Sequence, residues 1–168
     1  MRAVIFTVIF LPAALIAQQQ PQSQSPLAGL FPEQQGPVAN YIGYAFAECS
    51  ASNTPAVRIV ALQGLVPEGI PKTSPRPSIE LVLNAPVDQV MGKPVTIVPK
   101  SAAAQDHAMA LSCPVVGDCA AAESGAMTVT ARTASGSLTG EFRAKWAIGA
   151  PRAGKFIVSW RESQAKCG

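Results

Sequence analysis

One histidine, four cysteines, thirteen basic and ten acidic side chains are the whole stock from which this chain could build chemistry. The histidine, His107, follows Asp106 directly. A nucleophilic triad needs an acid that orients the imidazole and a hydroxyl on the ring's far side. Neighbours on an extended chain point to opposite faces, so Asp106 is badly placed to orient His107. The chain has no G-x-S-x-G; Gly136-Ser137-Leu138-Thr139-Gly140 puts its serine in the wrong place and reads as a hairpin. Paired carboxylates for glycoside hydrolysis would have to come from scattered acids. Glu80 and Glu141 alternate with apolar residues, which predicts solvated, outward positions. Asp88 and Asp118 are isolated loop acids, and no phosphate loop, HExxH or calcium loop occurs. The expectation is a non-catalytic protein without a cofactor. The alternative is a small secreted hydrolase whose active site lies near His107.

The cysteines are Cys49, Cys113, Cys119 and Cys167. An even count in an oxidising compartment predicts two disulfides. The pairing expected is Cys113–Cys119, bracketing a tight Pro114-to-Asp118 loop, with Cys49–Cys167 tying the chain's last residues to an early strand. The competing use is a metal held by His107, Cys113 and Cys119. That spacing, His-x5-Cys-x5-Cys, fits none of the usual structural zinc patterns, so no metal is expected.

Charge is unevenly spread. Residues 126–168 carry seven basic groups against Glu141 and Glu162, whereas residues 38–125 carry five basic against seven acidic groups. Arg132, Arg143 and Lys145 fall at polar positions of alternating strands, which predicts a basic sheet face as the ligand-binding surface. Its partner would be an anionic polymer such as an acidic glycan or another cell-envelope component. Specific nucleic-acid binding is not expected, because no aromatic side chain is interleaved on that face for base stacking.

The elements that must position these residues follow from composition and pattern. The chain has 168 residues, is 48% hydrophobic and 14% charged, and contains 15 Pro and 13 Gly. This argues against a helical bundle and against a wholly disordered chain. Met1-Arg2, the apolar run from Ala3 to Ala17 and the break at Pro12 form the pattern of a secretory signal over residues 1–17. As a helix that run spans only about 22 Å, which argues against a permanent transmembrane anchor. The expected location is therefore secreted or periplasmic. Residues 18–37 are Gln- and Pro-rich and predict a disordered tether. Residues 38–168 form the single folded domain.

Within that domain, short apolar segments separated by turn residues predict eight strands: 41–48, 56–63, 78–84, 94–98, 108–112, 126–133, 137–147 and 155–161. Helix is conceivable only at 102–110 or 120–123. The last three strands alternate cleanly. Met127 and Val129 share a dry face with Leu138, Phe142, Trp146, Phe156, Val158 and Trp160. A two-residue Ser135-Gly136 turn would place Val129 opposite Phe142 and Met127 opposite Ala144. A half-wet meander of this kind packs its dry face on a second sheet. The fold class expected is all-β: a disulfide-stabilised, antiparallel two-layer β-sandwich of about 7–8 short strands. Gly136-x-Leu138-x-Gly140-x-Phe142, then Gly154-x-Phe156 and Trp160 ahead of Cys167, give the chain a general resemblance to small secreted bacterial proteins. That resemblance implies hairpins, and no function is carried across from it.

Overall fold

The computed structural model describes residues 38–102 and 106–167. The expected signal (1–17) and tether (18–37) lie outside the described residues. Among the described residues there are eight strands: β1 (Val38–Cys49), β2 (Pro55–Leu62), β3 (Ser78–Leu83), β4 (Val95–Ile97), β5 (Ala108–Cys113), β6 (Ala120–Arg132), β7 (Ser137–Trp146) and β8 (Arg152–Arg161). Of the two segments considered for helix, 120–123 is strand, and the described part of 102–110 is strand from Ala108 onward, after a short 3-10 turn that ends at Ala102. The one α-helix among the described residues is a single turn, α1 (Val87–Val90), which buries Val87 and Val90.

The chain is all-β, but its strands close into a barrel in the order β1-β2-β3-β5-β4-β6-β7-β8 instead of stacking as two sheets. Closure is made by β1, which runs parallel to β8 from Val38 opposite Ala153 to Phe46 opposite Arg161. Sequence alternation specifies a dry face but not what covers it. Here the sheet curls until its own dry faces meet, and no main-chain edge is left open between the first and last strands. On the far side β4 wedges between β5 and β6 at one end, while β5 and β6 pair directly at the other through Leu111 and Ser112.

The interior is filled with side chains. Tyr41, Ile59, Leu81, Leu83, Ile97, Met127, Leu138, Phe142, Trp146 and Phe156 are all in one buried cluster, with Trp160 packed against its margin. Glycine makes room for the largest rings. A Cβ on Gly154 would collide with the rings of Tyr41 and Phe142, and one on Gly140 with Phe156. Tyr41 and Phe142 accordingly meet with ring centroids 5.6 Å apart.

The β6–β7 register differs from the expected one. Met127 lies opposite Phe142 and Val129 opposite Gly140, with an irregularity between Val129 and Ala131. The turn is longer than two residues. Thr133 N–H donates to Ser137 O and Gly136 N–H to Thr133 O, both at 2.9 Å, with Gly136 at φ +82°. A displacement of two residues keeps Met127 and Val129 inward, because side chains alternate with period two. The irregularity then reverses the face of the residues beyond it.

A second, smaller apolar cluster lies on the outer surface of the barrel. Tyr44, Val60 and Leu62 point outward from β1 and β2 yet are buried, packed with Phe46 and with Val66 of the 63–77 segment. This explains why β2 is apolar on both faces. The Pro-rich segment is fastened over that wall: the Arg161 guanidinium stacks on Tyr44 at 4.3 Å and donates to Pro67 O.

Both expected disulfides form. Cys49–Cys167 spans 118 residues of sequence and Cys113–Cys119 spans 6. Two disulfides suit an oxidising compartment. Among the described residues no helix is long and apolar enough to cross a membrane, which leaves strand-built spans unaddressed.

Candidate functional site

Arg132, Arg143 and Lys145 do not form one open basic face. Past the β6 irregularity, Arg132 sits opposite Leu138, whose side chain is in the core. Arg132 thus reaches the barrel's rim, with its guanidinium 5.1 Å from the Trp160 ring centroid and 3.8 Å from Asp88 Oδ1. Arg143 and Lys145 lie on the opposite, outer side of β7. Lys145 is exposed, but Arg143 is only 8% exposed, set between Ala126 and Ala153 of the flanking strands. Alternation placed Arg143 and Lys145 on the outer side correctly, but not Arg132, which lies beyond the β6 irregularity. It could not show that parts of the outer wall are covered.

The same correction applies to the two glutamates expected in solvent. Glu80 and Glu141 are 5% and 7% exposed. Glu80 belongs to a three-residue charge network on the outer wall. Arg58 Nε donates to Glu48 Oε2 at 2.8 Å, and Arg58 Nη1 donates to Glu80 Oε2. Burial works against the Arg58 charge, but the two carboxylates outweigh it and hold its pKa above the usual guanidinium value. The pair of acids is therefore occupied in salt bridges, unlike the separated acid and nucleophile of a glycosidase. An open cleft of about 450 Å³ beside this network is lined by Glu48, Arg58, Asn84, Lys100 and Met109 among others.

His107 immediately precedes β5 and is half-buried. Its carbonyl accepts the Asn84 N–H at 3.0 Å, and Asp106, at φ +63°, donates its N–H to Asn84 O. His107 thus lies about 17 Å along β5 from Ser112, at a rise of about 3.3 Å per residue. Cys113 and Cys119, the other members of the conceivable metal set, are bonded to each other. Their sulfurs and a Glu80 carboxylate oxygen fall within 4.8 Å of one another. In disulfide form those sulfurs are not thiolates, so this group is a metal donor set only when reduced.

The Ser112 end of the barrel carries a feature that sequence reading did not single out. A cleft of about 310 Å³ opens there, lined by Tyr41, Gln63, Ser78, Ser112, Pro114, Val115 and Arg152 among others. Arg152 opens β8 and is exposed. Its Nη1 donates to Ser112 Oγ at 3.0 Å, and its guanidinium carbon lies 5.6 Å from the Trp146 ring centroid. Trp146 is fixed in turn, donating Nε1–H to Ala120 O at 3.0 Å. Ser78 Oγ is buried and has no hydrogen-bond partner among the described residues. Burial raises the Tyr41 pKa above 10.0, and the nearby Arg152 charge partly opposes that rise. A fixed cation, three hydroxyl-bearing side chains and an amide thus converge on one mouth of the barrel, a common place for ligand sites. Its members lie in five separate stretches of sequence, so no local motif announces it. Compared with models of protein families, with curated proteins and with solved structures, the chain matches none.

Proposed function

We propose that this chain is an exported, non-catalytic binding module that receives an anionic group of a cell-envelope or extracellular glycan at the barrel mouth around Arg152. One observation carries the reading. Arg152 is held in place by Ser112 and Trp146, yet no carboxylate among the described residues forms an ion pair with it. Its charge remains on offer, whereas that of Arg58 is taken up by Glu48 and Glu80. A guanidinium matches a carboxylate through paired hydrogen bonds, and the hydroxyls of Tyr41 and Ser112 suit the polyhydroxyl surface of a sugar. The filled interior supports a ligand bound at the mouth over one enclosed by the barrel. The two disulfides suit the oxidising destination that export implies.

The test is a binding panel of acidic and matched neutral glycans, run with wild type, Arg152→Ala and the Arg132→Ala/Lys145→Ala pair. Wild type should bind acidic members only, more weakly as salt rises. Arg152→Ala should lose that binding while the paired variant keeps it. Equal binding by Arg152→Ala and wild type would overturn the assignment. A hydrolase screen with His107→Ala as control addresses the catalytic alternative; turnover abolished by that substitution would replace the binding reading.

A further inference from the structure

The two disulfides sit in different electrostatic surroundings. Cys113 ends β5 and is 1% exposed, with Sγ 3.6 Å from Glu80 Oε1. Cys119 closes the exposed 114–119 loop, and its Sγ is 3.8 Å from Arg76 Nη2. The same guanidinium also donates to Gly117 O, which fixes it over the loop. The Glu80 carboxylate, within 4.8 Å of both sulfurs, makes its contact with the Cys113 end of this S–S bond, and the Arg76 guanidinium makes its contact with the Cys119 end. The contact of Cys167 in the second disulfide is with a neutral carbonyl, Glu48 O at 3.5 Å. Between the paired cysteines, Val115 and Val116 are 68% and 85% exposed, an apolar tip on the loop that this disulfide closes.

From this asymmetry we infer that Cys113–Cys119 is a thiol–disulfide exchange centre acting on peptide dithiols, with Cys119 as the sulfur that substrate attacks. A substrate thiolate adds to Cys119 Sγ, forming a new S–S bond, and the Cys113–Cys119 bond breaks with its electron pair passing to Cys113. Beside the Glu80 carboxylate, the Cys113 sulfur takes up a proton from solvent. The second thiol of the substrate loses its proton to solvent and attacks the substrate sulfur of the mixed disulfide. Cys119 leaves as a thiolate held by Arg76. The peptide dithiol is oxidised to its disulfide by two electrons, and the Cys113–Cys119 pair is reduced by two. The neighbouring guanidinium draws the incoming thiolate to Cys119 and lowers the energy of the Cys119 thiolate, which makes it the better leaving group in the second step. The exposed Val115 and Val116 give an unfolded peptide an apolar place to rest, whereas small thiols use the sulfur alone.

The experiment treats the full, oxidised chain with a reduced two-cysteine peptide, with glutathione added in parallel to trap the mixed disulfide for peptide mass mapping. The adduct should map to Cys119. Cys113–Cys119 should open at least about ten-fold faster than Cys49–Cys167. Arg76→Ala should slow opening about three- to ten-fold, with Arg76→Lys recovering most of the rate. Mapping of the adduct to Cys113, equal rates for the two disulfides, or a rate unchanged in Arg76→Ala would each overturn the inference. The wild-type map and the ratio of the two disulfides' opening rates remain decisive even if Arg76→Ala folds poorly. None of these readouts depends on Arg152 or on glycan binding.

Discussion

Arg161 sits over the ring of Tyr44, its guanidinium carbon 4.3 Å from the ring centroid, on the outside of a barrel whose main core is elsewhere. Tyr44 is 1% exposed because the 63–77 segment closes over it, and Arg161 also reaches Pro67 O in that segment. Arg161→Ala should therefore cost about 1–2 kcal/mol, the value of a desolvated cation–π contact. Brief proteolysis should cut the variant first within residues 63–77 while the barrel stays intact. Cleavage that begins elsewhere would show that the contact does not hold the segment.

Both tyrosines of the chain, Tyr41 and Tyr44, have pKa values raised above 10.0, chiefly by burial. A raised value means that the native state keeps its phenol protons at a pH where the unfolded chain has begun to lose them. The associated stability is fully present below about pH 10 and falls as pH rises through the folded values. Tyrosinate absorbance during an alkaline titration should rise together with the loss of native circular dichroism. Ionisation well before unfolding, at the ordinary tyrosine value, would contradict the burial.

Phe142 is 1% exposed and fills the space above Gly154. Phe142→Ala should destabilise by about 3–5 kcal/mol in denaturant titration. Gly154→Ala should cost about 1–3 kcal/mol by overpacking. Combined, the two should cost less than their sum, because the added methyl group enters space the ring has vacated. Strict additivity would place the two residues out of contact.

Arg58 joins Glu48 to the buried Glu80, so Arg58→Met should be strongly destabilising, by about 3–5 kcal/mol, through the stranded carboxylate. Adding Glu80→Gln should recover a large part of that loss. No recovery would mean that Arg58 acts through packing of its aliphatic stem.

Opening the longer disulfide tests the C-terminal tie. Cys49→Ala/Cys167→Ala removes a bridge spanning 118 residues, and chain entropy alone predicts a loss of about 4–5 kcal/mol. Thermal melts of wild type and variant give the value. A change below about 1 kcal/mol would imply that contacts such as Ser163 with Ala47 O already hold the tail.

The strands and both disulfides were legible in the sequence because each depends on local signals: alternation, turn residues and cysteine spacing. The inward set around Phe142 and Phe156 followed from the same period of two. Closure was not legible, since the β1–β8 pairing joins residues more than a hundred positions apart and hydrogen bonds carry no residue code. The β6–β7 register was missed because the turn at Thr133–Gly136 is longer than its Ser-Gly signal implied and β6 carries an extra residue near Thr130. That one residue moved Arg132 to the rim and dissolved the expected basic face. Glu80 and Arg143 show a further limit: alternation reports which wall a side chain points from, but not whether something lies over that wall.

The parallel seam between β1 and β8 also has a consequence for the order of folding. Among the described strands, the outer hydrogen-bonding edge of β1 finds its partner only in β8, the last of them in chain order. Until then β1 and β2 form a hairpin with an open rim, and pairing across most of the chain's length is slow to find. A chain cut short before Arg152 would keep seven strands, yet its exposed β1 edge would be a template for another copy. The nascent protein is thus most prone to aggregate just before its final ten-residue strand arrives.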